Sequence, residues 1–224
     1  MTFSQHINEF NRAVTLDATL PEGVEVMNPF ADPDVRKLAE TFYEKFYSDN
    51  RPRKLIMGIN PGRLGGGVTG IPFTDPVKLE EHCGIPNDLR RVTEPSAGFI
   101  YDMITAYGGA SLFYEHYFIY AVSPLGFTKD GLNYNYYDSR ALEKAVTPFI
   151  IESLKKVLEF NVDRGVCYCL GNGKNFKFLS TLNEEHHFFG EVLPLPHPRW
   201  IVQYRRKRYA EFISQYIGML RPPL

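Results

Sequence analysis

The segment from Lys54 to Phe73, KLIMGINPGRLGGGVTGIPF, constrains the fold of this chain more than any other. A short apolar run, Leu55 to Met57, stops at Gly58 and is followed by Asn60-Pro61-Gly62 and then by three successive glycines. This order predicts a buried strand that continues into a glycine-rich loop. Ligands of open α/β sheets bind beyond the carboxyl ends of the strands. We therefore expect Asn60 to take part in catalysis and Phe73 to line the same pocket.

Strands and helices alternate along the chain. Four apolar or β-branched runs predict strands at residues 54–59, 117–123, 166–170 and 191–196. Helical spacing and cap signals predict helices over 3–15, 33–46, 95–107, 139–160 with a kink or break at Pro148, and a short stretch after Gly173. A last helix carries an apolar stripe from Tyr209 to Leu220. This alternation predicts one domain over residues 1–224, a three-layer α/β/α sandwich whose central, mainly parallel sheet has about four strands.

Composition narrows the class of protein. With 44% hydrophobic and 23% charged residues, the 224-residue chain resembles an ordinary globular domain. It has no run of about 18 apolar residues that would predict a membrane span. The amino terminus lacks a secretion signal and the three cysteines are an odd number, so we expect an intracellular location, cytoplasmic in a bacterium, and free thiols. We also expect a monomer with no cofactor and no metal ion. Because the net charge is only −1, any contact with nucleic acid must be local.

Two segments at the ends of predicted strands, GINPG and LPHPR, carry the candidate chemistry. The Asn60 amide can hold a water or a substrate edge, but it is too weak a base to remove a proton. His197, between Pro196 and Pro198, can donate a hydrogen bond to an anion that forms on a leaving group. This pair, with no carboxylate beside it, indicates a reaction limited by departure of the leaving group. Asn-Pro-Gly is also a common turn and a histidine among prolines is often structural, so both alternatives stay open here.

The glycine-rich segment resembles the first motif of the single-strand-selective monofunctional uracil-DNA glycosylase (SMUG) family, within the uracil-DNA glycosylase superfamily. The residues in register with that motif are Gly58, Asn60, Pro61, Gly62, Gly65, Thr69, Gly70, Pro72 and Phe73. His197-Pro198-Arg199 is similar to the family's second motif. GNGKNF at 171–176 is similar to the turn after its third strand, and YFIYAVSPLGF to its second-strand segment. The resemblance covers residues 50–215, roughly.

The resemblance implies a monofunctional DNA glycosylase that flips a deaminated base out of DNA and hydrolyses its N-glycosidic bond. It implies that Asn60 positions the attacking water, His197 stabilises the departing base and Phe73 stacks on it. The expected base-pocket residues are Gly58, Ile59, Pro61, Gly62, Phe73, Ala121 and Ser123. Uracil is the expected base, and hypoxanthine and xanthine are further candidates. Neither motif contains a lysine, so no Schiff-base lyase step is expected.

The chain departs from the family pattern at two places. The family has a base-recognition asparagine on its second strand, where this chain has Ala121, whose methyl group cannot recognise a uracil edge. Ser123 or a backbone group is the candidate substitute. The family's wedge after the second motif is replaced by Arg199-Trp200. Trp200 is either a wedge that fills the hole left by the flipped base or a core aromatic packed under the loop.

Basic residues near the carboxyl terminus indicate a local contact with DNA. The DNA-binding candidates are Arg199, Trp200, Arg205, Arg206, Lys207 and Arg208, together with Lys174 of the GNGKNF turn. Several of these cations are expected in the first turn of the last helix, where they oppose the helix dipole unless a phosphate binds there. A solvated basic turn is the plain alternative.

Two other functions stay open from the sequence. One is a different nucleoside or nucleotide hydrolase or transferase whose glycine-rich loop holds phosphate, although the Lys-Ser/Thr of a P-loop and the GxGxxG pattern are absent. The other is a non-catalytic module that binds damaged or single-stranded DNA, since Ala121 removes a recognition group. For the glycosylase, the expected partner is single- or double-stranded DNA that contains deaminated bases.

Overall fold

The computed structural model describes residues 1–220, the last four residues of the predicted domain lying outside this range. The α-helices, numbered in chain order, are α1 Phe3–Ala13, α2 Pro33–Phe46, α3 Gly66–Thr69, α4 Pro76–Glu81, α5 Pro95–Tyr107, α6 Ala110–His116, α7 Arg140–Val157, α8 Lys174–His186, α9 Pro198–Tyr204 and α10 Tyr209–Leu220. The strands are β1 Val24–Met27, β2 Arg53–Gly58, β3 Tyr117–Ala121, β4 Gly126–Lys129, β5 Leu132–Tyr134, β6 Val162–Leu170 and β7 Glu191–Leu195. Short 3-10 helices cover Pro29–Ala31 and Arg206–Arg208.

Four parallel strands form the main sheet in the order β3-β2-β6-β7. The strand predicted from the apolar run before Gly58 is β2, and it lies at the centre with Gly58 paired to Ala121 of β3. At the other side, Leu170 of β6 pairs with Leu195 of β7. The register therefore aligns the carboxyl ends of the strands, and the loops that carry Asn60 and His197 leave the same edge.

Side chains of β3 show how helices cover both faces of this sheet. Phe118 packs its ring against Phe3 of α1 and Tyr43 of α2. The preceding residue, Tyr117, points to the opposite face and packs against Tyr107 of α5. Because successive side chains of a strand point to opposite faces, these contacts place helices on both sides. The predicted α/β/α sandwich with a four-stranded parallel sheet is confirmed.

A second, three-stranded antiparallel sheet in the order β1-β4-β5 was not predicted. Its hairpin turns at Asp130-Gly131, where both residues have positive φ angles of 52° and 71°. Asp-Gly between two short runs is a known hairpin signal, so the sequence did contain a cue. The three strands are only three or four residues long, which leaves little alternation to detect.

The helix predicted over 139–160 is observed as α7, and Pro148 does not break it. Proline at this position removes the hydrogen bond to the carbonyl of Lys144. Both residues are exposed, so water can solvate that carbonyl instead. The prediction of a break was wrong because the proline lies on the solvent face of the helix.

The three cysteines are free, as expected, and all three are buried. Burial raises the pKa of the Cys83 thiol to about 11 and that of Cys169 to about 12. Neither thiol is therefore a ready nucleophile. Within residues 1–220, no helix is both long and apolar enough to cross a bilayer, and no group of three or more His, Cys, Asp or Glu side chains could hold a metal ion.

Candidate active site

A cavity of about 450 Å³ opens at the carboxyl edge of the main sheet. The loops after β2, β6 and β7 line it, together with the segment that follows β5. A smaller inner cavity of about 30 Å³, roughly the volume of one water molecule, shares the wall formed by Asn60, Gly62, Phe73 and Glu94. The two candidate catalytic side chains, Asn60 and His197, both line the larger cavity. This is the edge at which ligands of open α/β sheets bind.

The Asn60 side chain is fixed by a segment distant in sequence. Its Oδ1 accepts a hydrogen bond of 3.1 Å from the backbone N–H of Tyr136, which lies 76 residues further along the chain. Its Nδ2 donates to the carbonyl of Pro61 at 3.2 Å. One lone pair of Oδ1 and one N–H remain for a water or a substrate. Asn60 is therefore more than a turn residue that bonds only to its own loop.

Tyr136 and Asn175 support the Asn60 loop, and neither role could be predicted from the sequence. The Tyr136 hydroxyl donates to Oδ1 of Asn175 at 2.7 Å, and Nδ2 of Asn175 donates to the carbonyl of Gly58 at 3.3 Å. Both side chains are buried. Because the chain of bonds returns to the end of β2, it holds the Asn60 loop and the segment after β5 in one geometry.

His197 is held in a single tautomer by the helix that follows it. It is the N-cap residue of α9, and its Nδ1 accepts a hydrogen bond of 3.1 Å from the backbone N–H of Arg199. An N–H group can only donate, so the proton of the neutral ring lies on Nε2. Burial, with a smaller contribution from the Arg199 charge, lowers the pKa of the imidazole to about 4. At neutral pH, His197 is an uncharged donor.

The Phe73 ring forms a wall of both cavities. Its backbone has a φ of 53°, a left-handed conformation that costs a non-glycine residue on the order of 1 kcal/mol. The ring lies directly over Gly58, where an added Cβ would come within 2.7 Å of Cε2. Its centroid is 6.2 Å from that of the His197 ring. Glycine at position 58 is thus required for the aromatic wall.

The predicted base-pocket residues differ in where the structure places them. Gly58, Ile59, Pro61, Gly62, Phe73 and Ala121 all line the inner cavity. Ser123 lines neither cavity, because its side chain is fully buried and its Oγ donates to the carbonyl of Leu125 at 2.7 Å. The structure therefore places Ser123 outside both cavities, with its O–H donated to Leu125.

Comparison with known families and structures agrees with this geometry. Residues 44–221 match the family described as the uracil DNA glycosylase superfamily. The chain belongs to this superfamily. It is 46% identical to SMUG2 of Pedobacter heparinus, whose wild-type crystal structure superposes with a TM-score of 0.95, covering 98% of this chain and 97% of that one. Among curated proteins, no significant match is found. The chain is therefore a DNA N-glycosylase, a hydrolase, and the resemblance to the SMUG family is confirmed.

A basic surface lies beside the cavity of the glycosylase. Trp200 is 39% exposed, packs edge-on against Phe212 and carries the Arg205 guanidinium 4.6 Å above its ring. Trp200 is therefore at the surface, and its interpretation as a core aromatic was wrong. Arg199 lines the cavity, and so does Lys174, whose Nζ is 5.7 Å from the Tyr137 ring.

The remaining cations stand in a different element from the predicted one. Arg206, Lys207 and Arg208 form a 3-10 turn, and α10 begins only at Tyr209. The expectation that they occupy the first turn of the last helix was wrong, because α9 ends at Tyr204 and the chain turns before α10 starts. All three side chains are exposed, and Arg208 is paired with Glu211 at 2.8 Å.

Glu94 is a residue of the site that sequence reasoning missed. It directly precedes α5, its backbone N–H donates to Oδ2 of Asp75 at 2.8 Å, and its side chain lines both cavities. Burial raises the pKa of its carboxyl to about 7; the Asp75 charge adds to this rise and the Arg199 charge opposes it. The only cue in the sequence is an acidic residue before a proline at the start of an apolar helix.

Proposed function

We propose that this glycosylase excises deaminated bases from DNA, uracil first and also hypoxanthine or xanthine, without cutting the strand. The observation that carries the proposal is the convergence of Asn60, His197 and Phe73 on one cavity at the carboxyl edge of the sheet. The base must leave the DNA stack to reach this cavity, at a cost of about a few kcal/mol that is smallest for unpaired or mispaired bases. Phe73 then offers a ring face for stacking.

The chemistry assigned to the two polar residues follows from their hydrogen bonds. The N-glycosidic bond breaks with its electron pair going to the base, which departs as an anion. The Nε2–H of neutral His197 donates to an oxygen of that anion, since Nδ1 is occupied by Arg199. Asn60 holds a water by its remaining lone pair or N–H, and this water adds to C1′ of the sugar. The proton that the water loses on adding to C1′ is taken up by the base anion, so the products are the neutral free base and an abasic site.

Single-turnover cleavage of labelled DNA tests the proposal. The substrates carry uracil, hypoxanthine, xanthine or an unmodified base, in single and double strands. We expect breaks at the lesion only after alkali. Because Lys174 lines the cavity, parallel samples without alkali check for a lyase step. Absence of abasic sites with every substrate would refute the proposed function.

Two substitutions with matched controls test the assigned roles. Asn60→Ala should slow uracil release at least 100-fold while DNA binding survives, and Asn87→Ala, an amide that lines neither cavity and donates to the Pro76 carbonyl, should change neither. His197→Ala should slow release of uracil more than release of 5-fluorouracil, whose anion is more stable. His6→Ala, in a different groove, is the control. Equal effects of His197→Ala on both bases would contradict an anion-stabilising role.

A further inference from the structure

Among the described residues that line the inner cavity, only Asn60 and Glu94 have polar side chains. Both hydrogen-bonding atoms of Asn60 already have partners on the protein backbone. At the end of β3, Ala121 contributes a methyl group. Asn60 keeps one lone pair and one N–H, which the proposed mechanism assigns to the attacking water, so Glu94 is the other polar side chain of this lining that can meet a base edge.

The Glu94 carboxyl lies against the glycine-rich loop. An added Cβ at Gly65 would come within 2.1 Å of its Oε2, and one at Gly62 within 3.5 Å of its Oε1. Oε2 is buried and has no hydrogen-bond partner. Buried polar atoms in native proteins are nearly always paired, so an orphan oxygen on a carboxyl that lines both cavities marks Glu94 as a candidate ligand-binding side chain. The backbone N–H of Glu94 is anchored to Asp75, which fixes where the carboxyl stands.

We propose that Glu94 is the base-recognition residue of this glycosylase and hydrogen-bonds the lactam edge of the flipped base, in place of the amide absent at Ala121. This inference rests on the function proposed above. Uracil, hypoxanthine and xanthine share a ring N–H beside a carbonyl. A protonated carboxyl presents one O–H donor and one carbonyl acceptor side by side, which matches that edge.

The surroundings favour the protonated form that this pairing needs. The charged groups facing Glu94 are Asp75 from the segment before α4 and Arg199 from α9. Burial and Asp75 raise the pKa of Glu94 to about 7, and Arg199 limits the rise. A substantial protonated fraction is therefore present at neutral pH.

The rival role for Glu94 is that of a proton acceptor for the attacking water, and a glutamine substitution separates the two roles. Glu94→Gln keeps a donor and an acceptor but cannot accept a proton. Glu94→Ala removes the hydrogen-bond donor, the hydrogen-bond acceptor and the group that could accept a proton. If Glu94 recognises the base, Gln should retain most function; if it accepts the proton, Gln and Ala should fail alike.

The experiment combines single-turnover cleavage with binding. Wild type, Glu94→Gln and Glu94→Ala are compared on uracil-containing DNA, with Glu80→Ala, an exposed carboxyl paired with Arg91, as the control. Binding is measured by fluorescence anisotropy in the Asn60→Ala background, with and without each Glu94 change, on uracil-containing and unmodified strands. Circular dichroism verifies folding of each variant.

We expect Glu94→Ala to slow uracil release at least 10-fold and to abolish the preference for uracil-containing DNA in the Asn60→Ala background, while Glu94→Gln stays within about threefold of wild type in both assays. Equal loss of cleavage in Gln and Ala with the binding preference intact would overturn the proposal in favour of proton transfer. Wild-type behaviour of Glu94→Ala would overturn it in favour of packing. Failure of the wild type to cleave any base would instead refute the proposed function, and the binding assay would still test Glu94.

Discussion

The two half-buried titratable side chains of the site, His197 and Glu94, should make stability respond to pH in opposite senses. Burial lowers the pKa of His197 from 6.5 to about 4 and raises that of Glu94 from 4.5 to about 7. Between pH 4.5 and 6.5, the unfolded chain protonates His197 and ionises Glu94, whereas the folded protein does the reverse. Both states then bind the same number of protons through these two groups, so their contributions to the pH dependence cancel.

Replacing Glu94 by glutamine should expose the contribution of His197. The unfolded state now binds one more proton than the folded state between pH 4 and 6.5, so stability must rise with pH across this window. The slope approaches about 1.4 kcal/mol per pH unit, and the full change is about 3 kcal/mol. The converse substitution, His197→Asn, leaves Glu94 alone, and stability should then fall as pH rises from 4.5 to 7.

Urea denaturation followed by circular dichroism measures the Glu94 contribution as a difference. The free energy of unfolding of Glu94→Gln minus that of wild type should increase by about 3 kcal/mol between pH 4.5 and 7, because the stabilisation that protonated Glu94 gives wild type is lost as pH rises, while His197 and the other groups common to both proteins cancel. Glu80→Gln, on the surface, should give a difference that does not vary with pH. A pH-independent difference for Glu94→Gln would refute the reasoning, and a decreasing one would mean that Arg199 outweighs burial and holds Glu94 ionised.

Three further predictions concern the wall, the wedge and the DNA contact. Gly58→Ala places a Cβ against the Phe73 ring, so single-turnover cleavage should fall at least 10-fold while the fold by circular dichroism is kept. Trp200→Ala should slow cleavage of double-stranded substrates more than single-stranded ones, since only the former need the vacated stack filled; exposed Tyr204→Ala should not discriminate. Replacing Arg206 and Lys207 by alanine should weaken binding to all sequences alike and reduce the slope of log affinity against log salt by about 1.8.

The main sheet could be predicted because its strands are continuous apolar runs that end at glycine or proline. All four predicted strands exist, and β2 ends at Gly58 as its sequence indicates. The small sheet of β1, β4 and β5 could not be predicted in the same way, since its strands have only three or four residues each and β1 pairs with β4 about one hundred positions further along the chain. The predicted break at Pro148 was wrong because the sequence does not show which face of α7 is exposed to solvent.

Asn60, His197 and Phe73 could be predicted as a group because each follows a strand or a glycine loop with fixed spacing. Glu94 could not, since what makes it unusual is the approach of Gly62, Gly65 and Asp75, which are remote from it in sequence. The environment of Ser123 could not be predicted either. It lies in the segment that resembles the family's second strand, but its hydroxyl donates a hydrogen bond to the carbonyl of Leu125. Local sequence indicates which residues follow the carboxyl end of a strand. Tertiary contacts determine which of their side-chain atoms remain free to hydrogen-bond a ligand.

The charge state of the cavity links recognition of the base to its departure. The leaving base becomes an anion, and the neutral His197 ring can stabilise it only by donating Nε2–H. An ionised Glu94 on the same cavity would repel that anion, whereas a protonated Glu94 both matches the lactam edge and removes the repulsion. Burial disfavours the charged form of both side chains. It therefore favours neutral His197, which donates through Nε2–H, and protonated Glu94, which donates through its O–H. Positive charge is then left to Arg199 and Lys174 in the cavity lining, where it can attract the phosphates of the DNA without protonating the site.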